Sequence, residues 1–204
     1  MHTKRILMLL ATVLLILPAG CIFNPEDDDG GGGGGGGELP FPNSPEQLMA
    51  NFETVYEARD IDGYREVIDP SFVIYLSQDT IDEFSLPREF FDFDEEVLIA
   101  GRMFSGSPFI RQDGNIVPGI TRIQFDYFEA ETTWEVSPAD DRIPNALRAQ
   151  YRVDFTIEQG NEGRLNIKGI IEFYLRSERV EHQGRQQDRY WMVGQVDYTT
   201  PSAF

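Results

Sequence analysis

A chain of 204 residues with 35 acidic and 17 basic side chains carries a net charge of −18, which repels phosphate backbones and excludes nucleic acid as a partner. Its one cysteine permits no internal disulfide, its two histidines make no zinc cluster, and His182, expected exposed in a Gln/Arg-rich loop, supports no Ser-His or Cys-His nucleophile system. The run of eight glycines, Gly30–Gly37, is not followed by the Gly-Lys-Ser/Thr of a phosphate-binding loop, and no cofactor is expected.

Lys4 and Arg5 form a short basic head, Ile6–Leu17 is apolar apart from Thr12, and Pro18, Ala19 and Gly20 supply a small-residue end. That order marks residues 1–20 as a secretory signal. A membrane span needs about 20 apolar residues, a length the run reaches only by counting Pro18 and Gly20. Leu17-Pro18-Ala19-Gly20-Cys21 resembles the lipobox of bacterial lipoproteins, with Pro18 where that family usually has Leu. The resemblance implies cleavage before Cys21, a diacylglyceryl group on its thiol, and a membrane as partner. Ile22 stands where an Asp would retain such a protein at the inner membrane, so the resemblance favours the outer membrane of the cell envelope.

Residues 21–43 read as an acidic, glycine-rich tether. A coil of 22 such residues spans roughly 25 Å root-mean-square, which holds a globule near the lipid surface without embedding it. Loss of the signal leaves 15 basic against 35 acidic residues, a net −20. Five of those acids lie in the tether, so the fold itself carries −15, and Lys168 is its one lysine.

Residues 44–200 read as a single domain, with 201–204 as a tail. Ser44-Pro45-Glu46-Gln47 opens a helix whose stripe is Leu48, Phe52, Val55 and Tyr56. Asp60 caps a short second helix through Tyr64, Val67 and Ile68, which Asp69-Pro70 ends. Capping accounts for Asp60-Ile61-Asp62-Gly63 better than a calcium loop, whose remaining ligands are missing. Phe72–Leu76 reads as a short strand, and Ile81–Phe84 as a turn of helix. Asp92 or Asp94 caps a third helix, with Glu95 and Glu96 in its positive first turn and Val97, Ala100, Gly101 and Phe104 on its buried face.

After Gly119 the period becomes two. Ile123, Phe125 and Tyr127 alternate with polar residues, then Phe128, Ala130, Trp134 and Val136 take the other phase, which predicts a bulge near Tyr127–Glu129. Leu147–Ile157 and Leu165–Leu175 alternate cleanly around Gln159–Gly163. Ser177–Asp188 reads as a polar loop and Tyr190–Tyr198 as the last strand. The fold class is α+β: three N-terminal helices packed on a curved, cone-shaped, four-stranded antiparallel sheet.

This order resembles the nuclear-transport-factor-2-like superfamily, which includes the SnoaL-like cyclases and the ketosteroid isomerases. The resemblance is carried by the helix pair ending in Asp69-Pro70-Ser71-Phe72, the later amphipathic helix, and the closing Tyr190-Trp191-Met192-Val193. It implies a hollow used for ligands or catalysis and a homodimer formed through the sheet. On the predicted registers the inward face holds Tyr151, Val153, Phe155, Ile167, Ile171, Phe173, Met192 and Val196, with no carboxylate. Asp126, Asp154 and Glu172 fall on the polar face. Glu53, Glu57 and Asp69 are the helix-borne alternatives for a general base. Tyr56, Phe104, Tyr127, Tyr151, Phe155 and Phe173 are the candidates for lining a ligand site, against the simpler reading of core packing. Phe128 and Trp134 offer a dimer face. The expectation is an envelope lipoprotein that binds a small apolar ligand, itself unidentified, or a partner protein without catalysis. The alternatives are an isomerase-like enzyme using cone tyrosines and a helix carboxylate, and a structural component pairing through its sheet.

Overall fold

In the computed structural model, which describes residues 38–78, 81–82, 88–110, 115–160 and 163–198, each helix starts where a short polar side chain can satisfy its free amides. Ser44 accepts from the Gln47 amide at 3.2 Å and opens α1 (Pro45–Ala58). Gln47 does not return the bond as a capping box would; its side chain donates to Asn51 at 3.0 Å. Asp60 accepts from the amides of Asp62 and Gly63 and opens α2 (Ile61–Val67), as the capping reading predicts. Asp92 and Glu95 form a reciprocal capping box at the start of α3 (Phe93–Phe104). Ile81 and Asp82 are helical, and the rest of the expected turn at Ile81–Phe84 lies outside the described residues. No helix among the described residues is long and apolar enough to cross a membrane.

The strands are β1 (Ile68–Tyr75), β2 (Phe90–Asp92), β3 (Phe109–Ile110), β4 (Ile116–Val117), β5 (Ile120–Ala130), β6 (Glu135–Val136), β7 (Leu147–Gln159), β8 (Gly163–His182) and β9 (Arg185–Asp197). The α+β class holds, but the sheet is neither four-stranded nor purely antiparallel. Among the described residues it has seven strands in the order β2-β1-β9-β8-β7-β5, with β6 also on β7, and β1 runs parallel to β9. That pairing joins residues more than 100 positions apart, which no local pattern reports. A register shift between Ile68 and Val73 accommodates Pro70, which has no amide to donate. β3 and β4 form a separate two-stranded ribbon.

Three further expectations are corrected. The predicted loop Ser177–Asp188 is a hairpin arm, in which β8 and β9 stay paired from Arg176–Trp191 to His182–Arg185. The turn is Gln183-Gly184, both with positive φ, the backbone of a two-residue hairpin turn. Polar residues on both faces of the arm left no alternation to read. At the other end of the chain, the fold begins before Ser44. Leu39 packs against the core, Pro40 accepts from Asn51 at 2.7 Å, and Pro42 accepts from the Tyr190 amide at 2.9 Å. His182, expected exposed in a loop, is partly buried and stacks on Phe41 with ring centroids 3.9 Å apart.

The main core lies between the helices and the inner face of the sheet. Phe52, Val55, Tyr64, Phe72, Tyr151, Val153, Phe173, Leu175 and Met192 are buried there. A smaller core sits on the outer face, where the loop 137–146 folds back over the sheet. Ser137 holds that loop closed by donating to the Ile143 carbonyl at 2.6 Å and accepting from the Ala146 amide at 2.9 Å. Ile143 and Ala146 then bury against Tyr174, Val193 and Val196. Gly194 permits the docking: a Cβ there would lie 2.3 Å from Ile143 Cδ1 and 2.7 Å from the Val73 carbonyl oxygen. Val196 belongs to this outer cluster and not to the inward face, because a register shift at Tyr174/Leu175 reverses the phase of β9.

Candidate functional site

Five of the six ligand-lining candidates come together. Tyr56, Phe104, Tyr151, Phe155 and Phe173 join Phe52, Tyr64, Phe125 and Phe128 in one aromatic cluster on the inner face. Centroid separations of 5.1 Å for Tyr56–Phe104, 5.4 Å for Tyr151–Phe173 and 5.5 Å for Phe52–Phe173 are those of rings in direct contact. Each ring is thus a wall of its neighbour's pocket, as in a core.

Tyr127 is not among them. It is 40% exposed and donates to Glu129 at 2.9 Å. The bulge falls at Asp126, ahead of the predicted Tyr127–Glu129, so Phe125 and Phe128 both face inward and Tyr127 faces out. Phe128 and Trp134, the candidates for a dimer face, pack inward against Tyr151 at 5.0 and 5.9 Å.

The cluster encloses one carboxyl, Glu96 on α3. It is 6% exposed, and its Oε1 accepts from the hydroxyl of Tyr64, itself 1% exposed, at 2.8 Å. No basic side chain among the described residues makes an ion pair with it. Burial therefore pushes its pKa from 4.5 up to about 7, and the Tyr64 hydrogen bond only partly opposes that rise. Burial also raises Tyr56 and Tyr64, and the charge of Glu96 adds to both shifts. Tyr151 is pushed up to about 12, first by burial and then by Glu46.

The register of α3 explains why sequence reading missed Glu96. The buried residues are Glu96, Ile99, Ala100 and Phe104, at i, i+3, i+4 and i+8. Glu96 thus occupies an apolar-stripe position, although its place in the first turn suggested a dipole role. Glu95, one residue earlier, does serve the cap and pairs with Arg88. The alternatives Glu57 and Asp69 serve local structure. Glu57 accepts from the Phe125 amide at 2.7 Å, which pins α1 to β5, and Asp69 accepts from Ser71. Glu53 is partly buried, and its pKa is raised by burial and by Glu57.

Asp126, Asp154 and Glu172 lie on the outer face, as the registers predict. Lys168 binds Asp154 at 2.5 Å, Arg152 pairs with Glu131, and Thr156 donates to Asp126 at 3.0 Å. A separate cleft of about 620 Å³ lies beside residues 38–42 and is lined by Asn51, Glu66, Glu181, His182 and Arg189. Among the described residues no three acidic, histidine or cysteine side chains are placed to hold a metal ion. Cys21 lies outside the described residues.

No protein-family model matches the chain, and no curated protein matches it. Among solved structures it is similar to a conserved protein from Planctomyces limnophilus, with 7% identity, a TM-score of 0.49, and 74% of this chain and 90% of that one covered. It is also similar to an NTF2-like protein of unknown function from Burkholderia pseudomallei, with 10% identity, a TM-score of 0.41, and coverage of 76% and 90%. A third is Aln2 from a Streptomyces species, with 18% identity, a TM-score of 0.35, and coverage of 78% and 92%. None of these scores reaches 0.5, and the fold described above stands on its own geometry.

Proposed function

We propose that the chain is an envelope lipoprotein, moored through Cys21, whose domain binds a small, mainly apolar molecule against the partly buried rings at the margin of the aromatic cluster without turning it over. Glu96 carries this reading. A carboxyl desolvated among rings, with one neutral partner, destabilises its own fold unless it remains protonated. In that form it can exchange hydrogen bonds with a hydroxyl or carbonyl of an otherwise apolar guest. Phe125, Phe128, Phe155, Ile167 and Ile171 lie on the inner face yet are only partly buried, so an apolar guest has unspent surface to cover there. The resemblance to the nuclear-transport-factor-2-like superfamily agrees with a guest in this place.

Native mass spectrometry of full-length protein extracted from membranes in detergent tests the reading. The expected species begins at Cys21, carries a diacylglyceryl group, and retains a small molecule that Glu96→Gln loses. Wild-type protein that carries no guest and takes up none from a membrane extract overturns the binding reading. Cys21→Ser protein that still fractionates with membranes overturns the mooring.

A second reading is favoured by one observation, the rise of Glu96 to about 7 beside Tyr64 and Tyr56. A carboxyl poised there can give and take a proton at neutral pH, the requirement for isomerase-like chemistry. Conversion of the retained molecule, with a pH–rate break near 7 that Glu96→Gln abolishes, would replace binding by catalysis.

A further inference from the structure

A cleft of about 310 Å³ opens on the outer face of the sheet, away from the aromatic cluster. It is lined by Thr132, Thr133, Glu135, Arg148, Gln150, Glu172 and Tyr198. The side chain of Glu172 is only 7% exposed. Its Oε2 accepts from the Tyr174 hydroxyl at 2.8 Å and the Tyr198 hydroxyl at 3.2 Å. Its Oε1 takes no hydrogen bond from any described residue. The nearest cation, Nη1 of Arg148, stands 4.0 Å away and is committed elsewhere. That guanidinium donates to Asp141 Oδ2 at 2.7 Å and to Glu135 Oε1 at 2.8 Å.

Three carboxylates share one guanidinium at the cleft. Glu135, Asp141 and Glu172 surround the single guanidinium of Arg148. Arg142 lies over the Tyr75 ring at 5.2 Å and acts on Tyr198 through its field. Arg148 hydrogen-bonds Asp141 and Glu135, which leaves Glu172 Oε1 with a cation 4.0 Å away and no donor from it. The protons are short as well: the Tyr174 hydroxyl lies within hydrogen-bond distance of two carboxylates, Asp141 at 2.9 Å and Glu172 at 2.8 Å, and has one proton to give. A carboxylate oxygen that faces the cleft without a donor is met best by a positively charged donor.

We propose that this cleft binds a small organic ammonium ion. The ammonium N–H groups meet Glu172 Oε1, and the half-exposed ring of Tyr198 at the rim supplies a face for the cation. The side-chain amide of Gln150, which makes no hydrogen bond among the described residues, and the hydroxyls of Thr132 and Thr133 receive the polar part of the guest. An anion meets the wrong field, and a neutral polyol leaves the charge on Glu172 uncompensated.

The probe is n-butylammonium, titrated calorimetrically into detergent-solubilised full-length protein, with 1-butanol and butyrate as neutral and anionic counterparts. Saturable binding of one butylammonium per chain is expected, with no binding of the other two. Glu172→Gln is expected to weaken it by about tenfold or more, the size of one charge-assisted hydrogen bond, and Tyr198→Ala to weaken it in the same direction. Should Glu172→Gln fail to fold, Tyr198→Ala decides alone, since that ring is half exposed. Glu96→Gln leaves butylammonium binding unchanged, which separates this site from the aromatic cluster. The proposal falls if wild-type protein shows no saturable binding, if 1-butanol binds equally well, or if Tyr198→Ala binds as wild type does.

Discussion

Glu96 and Glu172 are equally buried, each 6% exposed, and lie on opposite faces of one sheet. Glu96 has the hydroxyl of Tyr64 and rings around it. Glu172 has two tyrosine hydroxyls, with the Arg148 guanidinium 4.0 Å away and two further carboxylates in the same network. The inner face is held by apolar area and tolerates one acid as an exception. The outer face is held by polar networks, with a small apolar patch under the loop 137–146. Equal exposure therefore conceals different physics: the inner acid titrates on folding, and the outer one organises its surroundings.

The sharpest way to break this comparison is to remove inner-face area. Phe173 is fully buried and touches Phe52, Phe128 and Tyr151. Phe173→Ala is expected to cost about 3–5 kcal/mol in urea unfolding, the usual range for deleting a core phenyl group. A cost below about 1 kcal/mol would mean that the rings enclose free space rather than one another.

The second test concerns Glu96 itself. Its pKa is 4.5 in the unfolded chain and about 7 in the fold. Between those values the folded state holds more protons than the unfolded state, so its contribution to stability falls as pH rises and levels off above 7. The full span is about 3 kcal/mol. Subtracting the pH profile of Glu96→Gln, which keeps an acceptor for Tyr64, isolates this term from every other carboxylate. Parallel profiles for the two proteins would mean that Glu96 is solvated, which would remove the basis of the proposed guest site.

The third test moves to the outer face. Gly194→Ala sets a Cβ against Ile143 and the Val73 carbonyl, and the carbonyl belongs to a paired strand and cannot swing away. A loss of about 1–3 kcal/mol is expected, within the range for overpacking. Limited proteolysis should cut first within 137–146, with the inner core intact. Cleavage elsewhere first would show that the loop is not held by this contact.

How much of this was legible in the sequence follows from the range of each interaction. The three helix starts could be read because their caps act over three residues, at Ser44, Asp60 and Asp92. β7 and the central part of β8 could be read because one face is apolar and the other polar throughout Leu147–Ile157 and Leu165–Leu175. The pairing of β1 with β9 could not, because neither strand carries a mark of the other. The hairpin arm failed for want of an apolar face, and Gln183-Gly184 was its one signal. Val196 was assigned to the wrong face because a single bulged residue reverses every position after it. Glu96 was visible as a stripe position, but an acid in a first turn has an exposed explanation that suits most helices. The loop 137–146 rests on Ser137, whose two hydrogen bonds reach six and nine residues along the chain. Such a closure has no periodic signature.

The smallest expected effect marks the limit of the comparison. Lys168 is the only lysine after Lys4 and pairs across β7–β8 with Asp154. Its side chain is about half exposed, so solvent screens the pair and long-chain entropy opposes it. Lys168→Gln should shift unfolding by less than about 0.5 kcal/mol, with little further dependence on salt. One feature argues the other way: Asp154 Oδ1 is buried without a hydrogen-bond partner, so Lys168 alone compensates that carboxylate on its other oxygen. A loss well above 1 kcal/mol in Lys168→Gln, recovered by adding Asp154→Asn, would place this pair with Glu172 in a buried polar network. The outer face would then depend on its charges along the length of β8 as well as around the cleft.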